Sequence, residues 1–148
     1  VTTLRDLADE PLWVAWRTEL VDGRQTKIPY SPFNGAHARS NDPSTWSTRR
    51  DAVTRAELLH GSGATGGIGI MLAPVPGGLH LGGVDLDACR DARGNVEPWA
   101  KEIVARFASY TEVSPSETGV KIFFLYNPAA LNGIRGRAAR RHVPGGFK

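Results

Sequence analysis

The amino-acid sequence predicts an α+β fold in which helices pack on a largely antiparallel sheet. Three observations lead there. Short apolar runs come in pairs, two amphipathic stretches separate the pairs, and the turns between them are rich in glycine and proline. The predicted order is ββαββαββ, in one domain spanning residues 1–148. Hydrophobic residues make up 41% of the chain and charged residues 22%, a balance that supports a core of its own.

The first strand is read from Leu12 to Arg17 (LWVAWR), short and aromatic. After a polar turn at Asp22 and Gly23, Thr26 to Tyr30 (TKIPY) forms the second, placed at a sheet edge by Pro29. Residues 31–42 are loop. Asp42-Pro43 then supplies a cap and a first-turn proline, predicting a helix with Trp46, Val53, Ala56 and Leu59 as its buried stripe. Glycines from Gly61 to Gly67 end it. Ile68–Leu72 and Leu81–Leu86 read as strands of a hairpin over the turn at Pro74 to Gly78. Val96, Trp99, Ala100, Ile103, Val104 and Phe107 recur at three- and four-residue steps, the clearest helix in the chain. Tyr110–Val113 and Val120–Tyr126 close the order as two strands around a Ser/Pro/Gly turn.

The net charge of +3 points only weakly to an anionic partner, but its distribution is uneven. From Ile122 onward there is no acid, while Arg135, Arg137, Arg140, Arg141 and Lys148 form a basic strip suited to a nucleic-acid backbone, or to a solvated tail. A lone Cys89 predicts no internal disulfide and a reducing, cytoplasmic setting. No apolar run approaches the ~20 residues of a membrane helix, and no secretory leader opens the chain. Both ends, Val1 and the Gly145-Gly146-Phe147-Lys148 stretch, read as cut.

Among candidate chemical groups, Val84-Asp85-Leu86-Asp87 is the sharpest. On a strand, Asp85 and Asp87 share one face while Val84 and Leu86 face the core. The two Cα atoms would stand roughly 6.5 Å apart, close enough for both carboxylates to converge on Mg²⁺ or Mn²⁺. Two such ions activate an attacking hydroxyl and stabilise a leaving pyrophosphate. A bare Asp-x-Asp is also, and more often, a pair of solvated surface acids. Ser114-Pro115-Ser116-Glu117-Thr118-Gly119-Val120-Lys121 offers hydroxyls, backbone N–H groups and a lysine to a triphosphate. Such clusters more commonly make only a turn. Lys27 has phosphate binding and plain solvation as its two readings.

Other patterns carry less. Gly61 to Gly66 matches a dinucleotide-binding glycine spacing, but a helix precedes it and a strand follows, the reverse of what that chemistry needs. His37, His60, His80 and His142 lack metal-ligand spacing. Trp13, Trp16, Trp46 and Trp99 sit in apolar surroundings and are read first as core, with base stacking open to any that is exposed.

In series, LWVAWR, TKIPY, DPSTW, GIGIML, GVDLDACRD and SYTEVSPSETGVKIFF resemble the archaeo-eukaryotic primase-polymerase superfamily, in the branch found in phage and plasmid replication proteins. The resemblance covers most of the chain. It implies an RRM-like catalytic core and template-dependent nucleotidyl transfer in DNA replication. It implies Mg²⁺ or Mn²⁺ on Asp85 and Asp87, and triphosphate contacts from Ser114, Ser116, Gly119 and Lys121. Given such a function, Lys27, read from its edge strand, and the basic strip become the candidates to touch a single-stranded DNA template; the resemblance adds that a helicase often accompanies such domains. Two positions depart from the pattern: Lys121 stands where the family most often has histidine, and Glu117 where it usually has glycine. The family's third acid has no counterpart after Lys121, so it is expected beyond residue 148, with Glu112 as the one substitute inside the chain. A binding module for single strands or nucleotides, without chemistry, is the competing expectation, with an inactive fragment as the third.

Overall fold

The structure, a computed structural model, describes residues 4–61 and 65–131. Strand β1 (Trp13–Val21) turns through Asp22 and Gly23, both at positive φ (49° and 75°), into β2 (Arg24–Tyr30). Two successive positive φ values give a hairpin turn whose twist matches its strands. Strand β3 (Gly66–Ile70) pairs antiparallel with the other side of β1, from Trp13↔Ile70 to Arg17↔Gly66, so the first sheet has the order β2-β1-β3. A second antiparallel sheet has the order β4-β6-β5, from β4 (His80–Leu86), β5 (Thr111–Val113) and β6 (Val120–Tyr126). Helices α1 (Arg49–His60) and α2 (Pro98–Phe107) complete the α+β fold.

Each helix covers one face of one sheet. Ala56 of α1 packs with Ala15 and Tyr30 on the first sheet, joined by Ile28, Leu59 and Ile68. Ala100 of α2 packs with Leu86, Val120 and Ile122 on the second, with Val84, Ile103 and Val104 around them. The strand faces turned away from these helices meet in a further cluster, in which Val14 and Leu81 are buried and Phe123 and Leu125 pack against them. Alternation along each strand therefore assigns one face to a helix and the other to the space between the sheets.

Three expectations from the sequence are corrected. The predicted hairpin of Ile68–Leu72 with Leu81–Leu86 does not form, because β3 pairs with β1 and β4 with β6. Glycines accommodate the observed partners: a Cβ on Gly66 would lie 2.3 Å from Trp16 O, and one on Gly82 would lie 2.6 Å from Phe124 Cζ. The helix predicted from Asp42-Pro43 begins later. Asp42 does cap a turn, but only the three-residue 3-10 turn Pro43–Thr45, after which Trp46 is extended; Thr48 then caps α1, its hydroxyl accepting from Asp51 N. Finally, Trp99 belongs to α2 but is 46% exposed, whereas Trp13 and Trp46 are core residues as expected.

Candidate functional site

Strand β4 carries Asp85 on the face turned away from α2, the side opposite Val84 and Leu86. In the ladder Asp85 pairs with Lys121 of β6, and Lys121 pairs on its other side with Glu112 of β5. One cation thus stands between two acids in a row across three strands. Lys121 Nζ forms an ion pair with Asp85 Oδ2, with the side chains 29% and 52% exposed. Glu112 Oε2 accepts from the Tyr110 hydroxyl at 3.0 Å. Burial, together with this bond, raises the Tyr110 phenol above its ordinary range.

The strand ends at Leu86, so Asp87 opens the following turn and is exposed. The chain bends at once, with Ala88 at φ 51° and the Cys89 thiol reaching back to Leu86 O at 3.2 Å. This turn abuts the Ser114–Gly119 turn. A Cβ on Gly119 would lie 2.5 Å from Leu86 O and 3.4 Å from Asp87 Cα, so glycine is what lets the two turns touch. The acid pair and the hydroxyl-rich turn, separated by some thirty residues in sequence, are neighbours in space.

The Ser114–Gly119 turn is internally fixed. Ser114 is buried, and its hydroxyl oxygen accepts from Gly119 N at 3.1 Å. Ser114 and Ser116 share a hydrogen bond of 2.8 Å, and Ser116 and Thr118 another of 3.0 Å. Glu117 adopts φ 63°, the left-handed conformation that glycine enters without strain. That value supplies a physical reason for the glycine usual at this position in the family resembled. Arg90, which the sequence reading did not single out, clamps the turn: its backbone N–H donates to Thr118 O and its Nη1 to Glu117 O, both at 2.9 Å. Its only sequence signal was membership of the GVDLDACRD segment.

Asp85, Glu112 and Lys121 open onto a cleft of about 1210 Å³, whose other wall includes Trp16 and Lys27 of the first sheet. Arg49 also lines it, so anionic and cationic side chains face the same space. Among the described residues no group of three or more His, Cys, Asp or Glu side chains is placed to hold a metal ion. Mg²⁺ usually keeps several waters and takes nucleotide phosphates as ligands, so a site built on only Asp85 and Asp87 would depend on both to complete it. Arg135, Arg137, Arg140 and Arg141 lie outside the described residues. No described helix is long and apolar enough to cross a membrane.

Comparison with known proteins adds to this geometry. Over 123 residues, 82% of its length, the chain is 34% identical to a DNA primase-polymerase of Nitratiruptor phage NrS-1. It spans 16% of the length of that protein. No protein-family model matches the chain.

Proposed function

This chain belongs to the primase-polymerase family, and from that premise we propose that it contributes to a catalytic domain for template-dependent nucleotidyl transfer in DNA replication. The observation that carries the reading is the contact between the Asp85–Asp87 segment and the Ser114–Gly119 turn, made possible by Gly119. An enzyme of this class has to hold a metal and a triphosphate side by side, and the backbone contact at Leu86 and Asp87 sets the segment that carries the acids next to the turn that carries the hydroxyls.

In this reading Asp85 and Asp87 hold Mg²⁺ or Mn²⁺, which supplies charge stabilisation to the transferring phosphoryl group when bound. Ser116 and Thr118 present exposed hydroxyls to the triphosphate, while Ser114 and Gly119 shape the turn. Lys121 neutralises Asp85 until a nucleotide arrives and then offers its charge to phosphate oxygens. Arg90 acts as a positioning residue, keeping the turn pressed to the end of β4. The substrates that follow are nucleoside triphosphates and a single-stranded DNA template.

The test is incorporation of labelled deoxynucleotides on a primed template by the full-length protein that contains this chain, with Mn²⁺ or Mg²⁺, against Asp85→Asn/Asp87→Asn. Loss of incorporation with unchanged circular dichroism is expected. Full activity of the double variant would remove both residues from the mechanism. An inactive wild type whose salt-sensitive strand binding survives the double substitution would favour a binding module instead.

A further inference from the structure

Trp16 occupies the middle of β1 on the face turned away from α1, and its surroundings distinguish it from the other tryptophans. Its indole N–H donates to Ile68 O at 3.1 Å, fixing the ring over β3. That strand carries glycine where the ring lies: a Cβ at Gly67 would stand 3.4 Å from Trp16 Nε1, and one at Gly69 3.8 Å from Trp16 Cδ1. The bare backbone makes a flat bed for the indole. From the opposite neighbouring strand, Lys27 brings its ammonium over the ring, 5.1 Å from the centroid. Trp16 is half-buried and Lys27 exposed, and both line the cleft that holds Asp85 and Lys121.

A similar pairing elsewhere shows what is particular here. Arg49 lies 5.9 Å over Trp13, but Trp13 is only 6% exposed and spends its N–H on Leu7 O, so it has no face to offer. At Trp16 the ring is tied to β3 by its N–H and carries an exposed cation over its face. A nucleotide is the ligand that answers both features, with a base to stack on the indole and a phosphate to draw the ammonium aside.

We propose that Trp16 and Lys27 form a stacking platform for one unpaired nucleotide on the first-sheet wall of the cleft. The base lies on the indole and the adjoining phosphate meets Lys27. This rests on the nucleotide-handling role proposed for the same cleft, but it concerns residues on a different sheet from Asp85 and can fail separately. The same base-and-phosphate chemistry is present in a single-stranded template and in an incoming triphosphate.

Binding of labelled oligo(dT) by fluorescence anisotropy and of dTTP by calorimetry separates these sources, using the full-length protein as wild type, Trp16→Leu, Trp16→Phe and Lys27→Gln. Trp16→Leu is expected to weaken one of the two ligands by about 5- to 100-fold, with much of the affinity restored in Trp16→Phe. If the oligonucleotide is the ligand affected, Lys27→Gln lowers its salt slope by about 0.7, the single-strand value per phosphate contact. If dTTP is affected, Lys27→Gln weakens it severalfold. Unchanged affinity of both ligands in Trp16→Leu and Lys27→Gln overturns the platform. Should Trp16→Leu fail to fold, the exposed Lys27→Gln decides alone. Loss of incorporation in Asp85→Asn/Asp87→Asn alongside intact binding in the platform variants would reject the platform and leave the proposed reaction standing.

Discussion

Replacing Lys121 with methionine is expected to have opposite effects on metal and nucleotide. Lys121 Nζ is paired with Asp85 Oδ2 across adjacent strands, so a divalent ion claiming that carboxylate has first to displace the ammonium. Both side chains are partly exposed, and pairs of this kind are worth about 0.2–1 kcal/mol. The displaced ammonium also stays on the neighbouring strand. At a separation of about 6 Å in water, a single and a double charge repel by roughly 1.4 kcal/mol before screening. Salt reduces that figure. Together these effects predict that Lys121→Met binds Mn²⁺ about 2- to 10-fold more tightly without nucleotide. The same variant loses affinity for a nucleoside triphosphate, because the charge freed by the metal is no longer there to meet phosphate. Electron paramagnetic resonance of free Mn²⁺, with and without nucleotide, reads both effects on one protein. Unchanged or weaker Mn²⁺ binding by Lys121→Met, while Asp85→Asn abolishes it, would refute the competition. Mn²⁺ binding that ignores Asp85→Asn as well would move the metal site elsewhere.

Three further outcomes follow from the turns and caps. Glu117→Gly removes a side chain from a residue at φ 63° and is expected to stabilise the fold by about 0.5–1 kcal/mol, read from the midpoint of urea unfolding. A lower midpoint would show that the left-handed conformation is not strained here. Gly119→Ala sets a Cβ 2.5 Å from Leu86 O, so it should destabilise by about 1–3 kcal/mol and also impair nucleotide binding; a neutral result would mean that the two turns part at little cost. Hydrogen bonds from Ser47 and Thr48 hold the Asp51 carboxyl below its usual range. A depressed folded-state value means that its contribution is present above the unfolded value of 3.8 and is lost as pH falls through the folded one. Protection factors of the amides in the first turn of α1, corrected for the intrinsic pH dependence of exchange, should therefore fall on acidification, and Asp51→Asn should remove that dependence.

The parts of the site that depend on local alternation were legible in the sequence. Asp85 was assigned to the face opposite Val84 and Leu86, and that is where β4 places it, whereas Asp87, expected on the same strand face, lies past the strand's end in a turn. Partner choice was not legible. Ile68–Leu72 looked like the mate of Leu81–Leu86 because the two runs are close in sequence, whereas each pairs with a strand that lies far away in the chain. The start of α1 was missed because Asp42 is a true cap for a turn that stops after three residues, where Trp46 is extended and buried in the core. Periodicity found α2 but overstated its burial: Trp99 lies on the apolar stripe, yet its neighbours leave nearly half of it uncovered. Arg90 escaped notice because its role lies in carbonyl oxygens of a turn some thirty residues away, which no spacing rule reveals.

The seven-pair ladder from His80↔Tyr126 to Leu86↔Val120 has a consequence for how this site tolerates change. Asp85 and Lys121 meet because they share a rung, and the Ser114–Gly119 turn begins where the rungs run out. Strand side chains alternate with a period of two, so a slip of one rung would turn either Lys121 or Asp85 to the α2 side and part the pair. The ladder therefore behaves as a ruler, and its far marks count as much as its near ones. Gly82 under Phe124 is one such mark, three residues from Asp85, and a bulkier residue there would shift the scale that aligns acid with lysine.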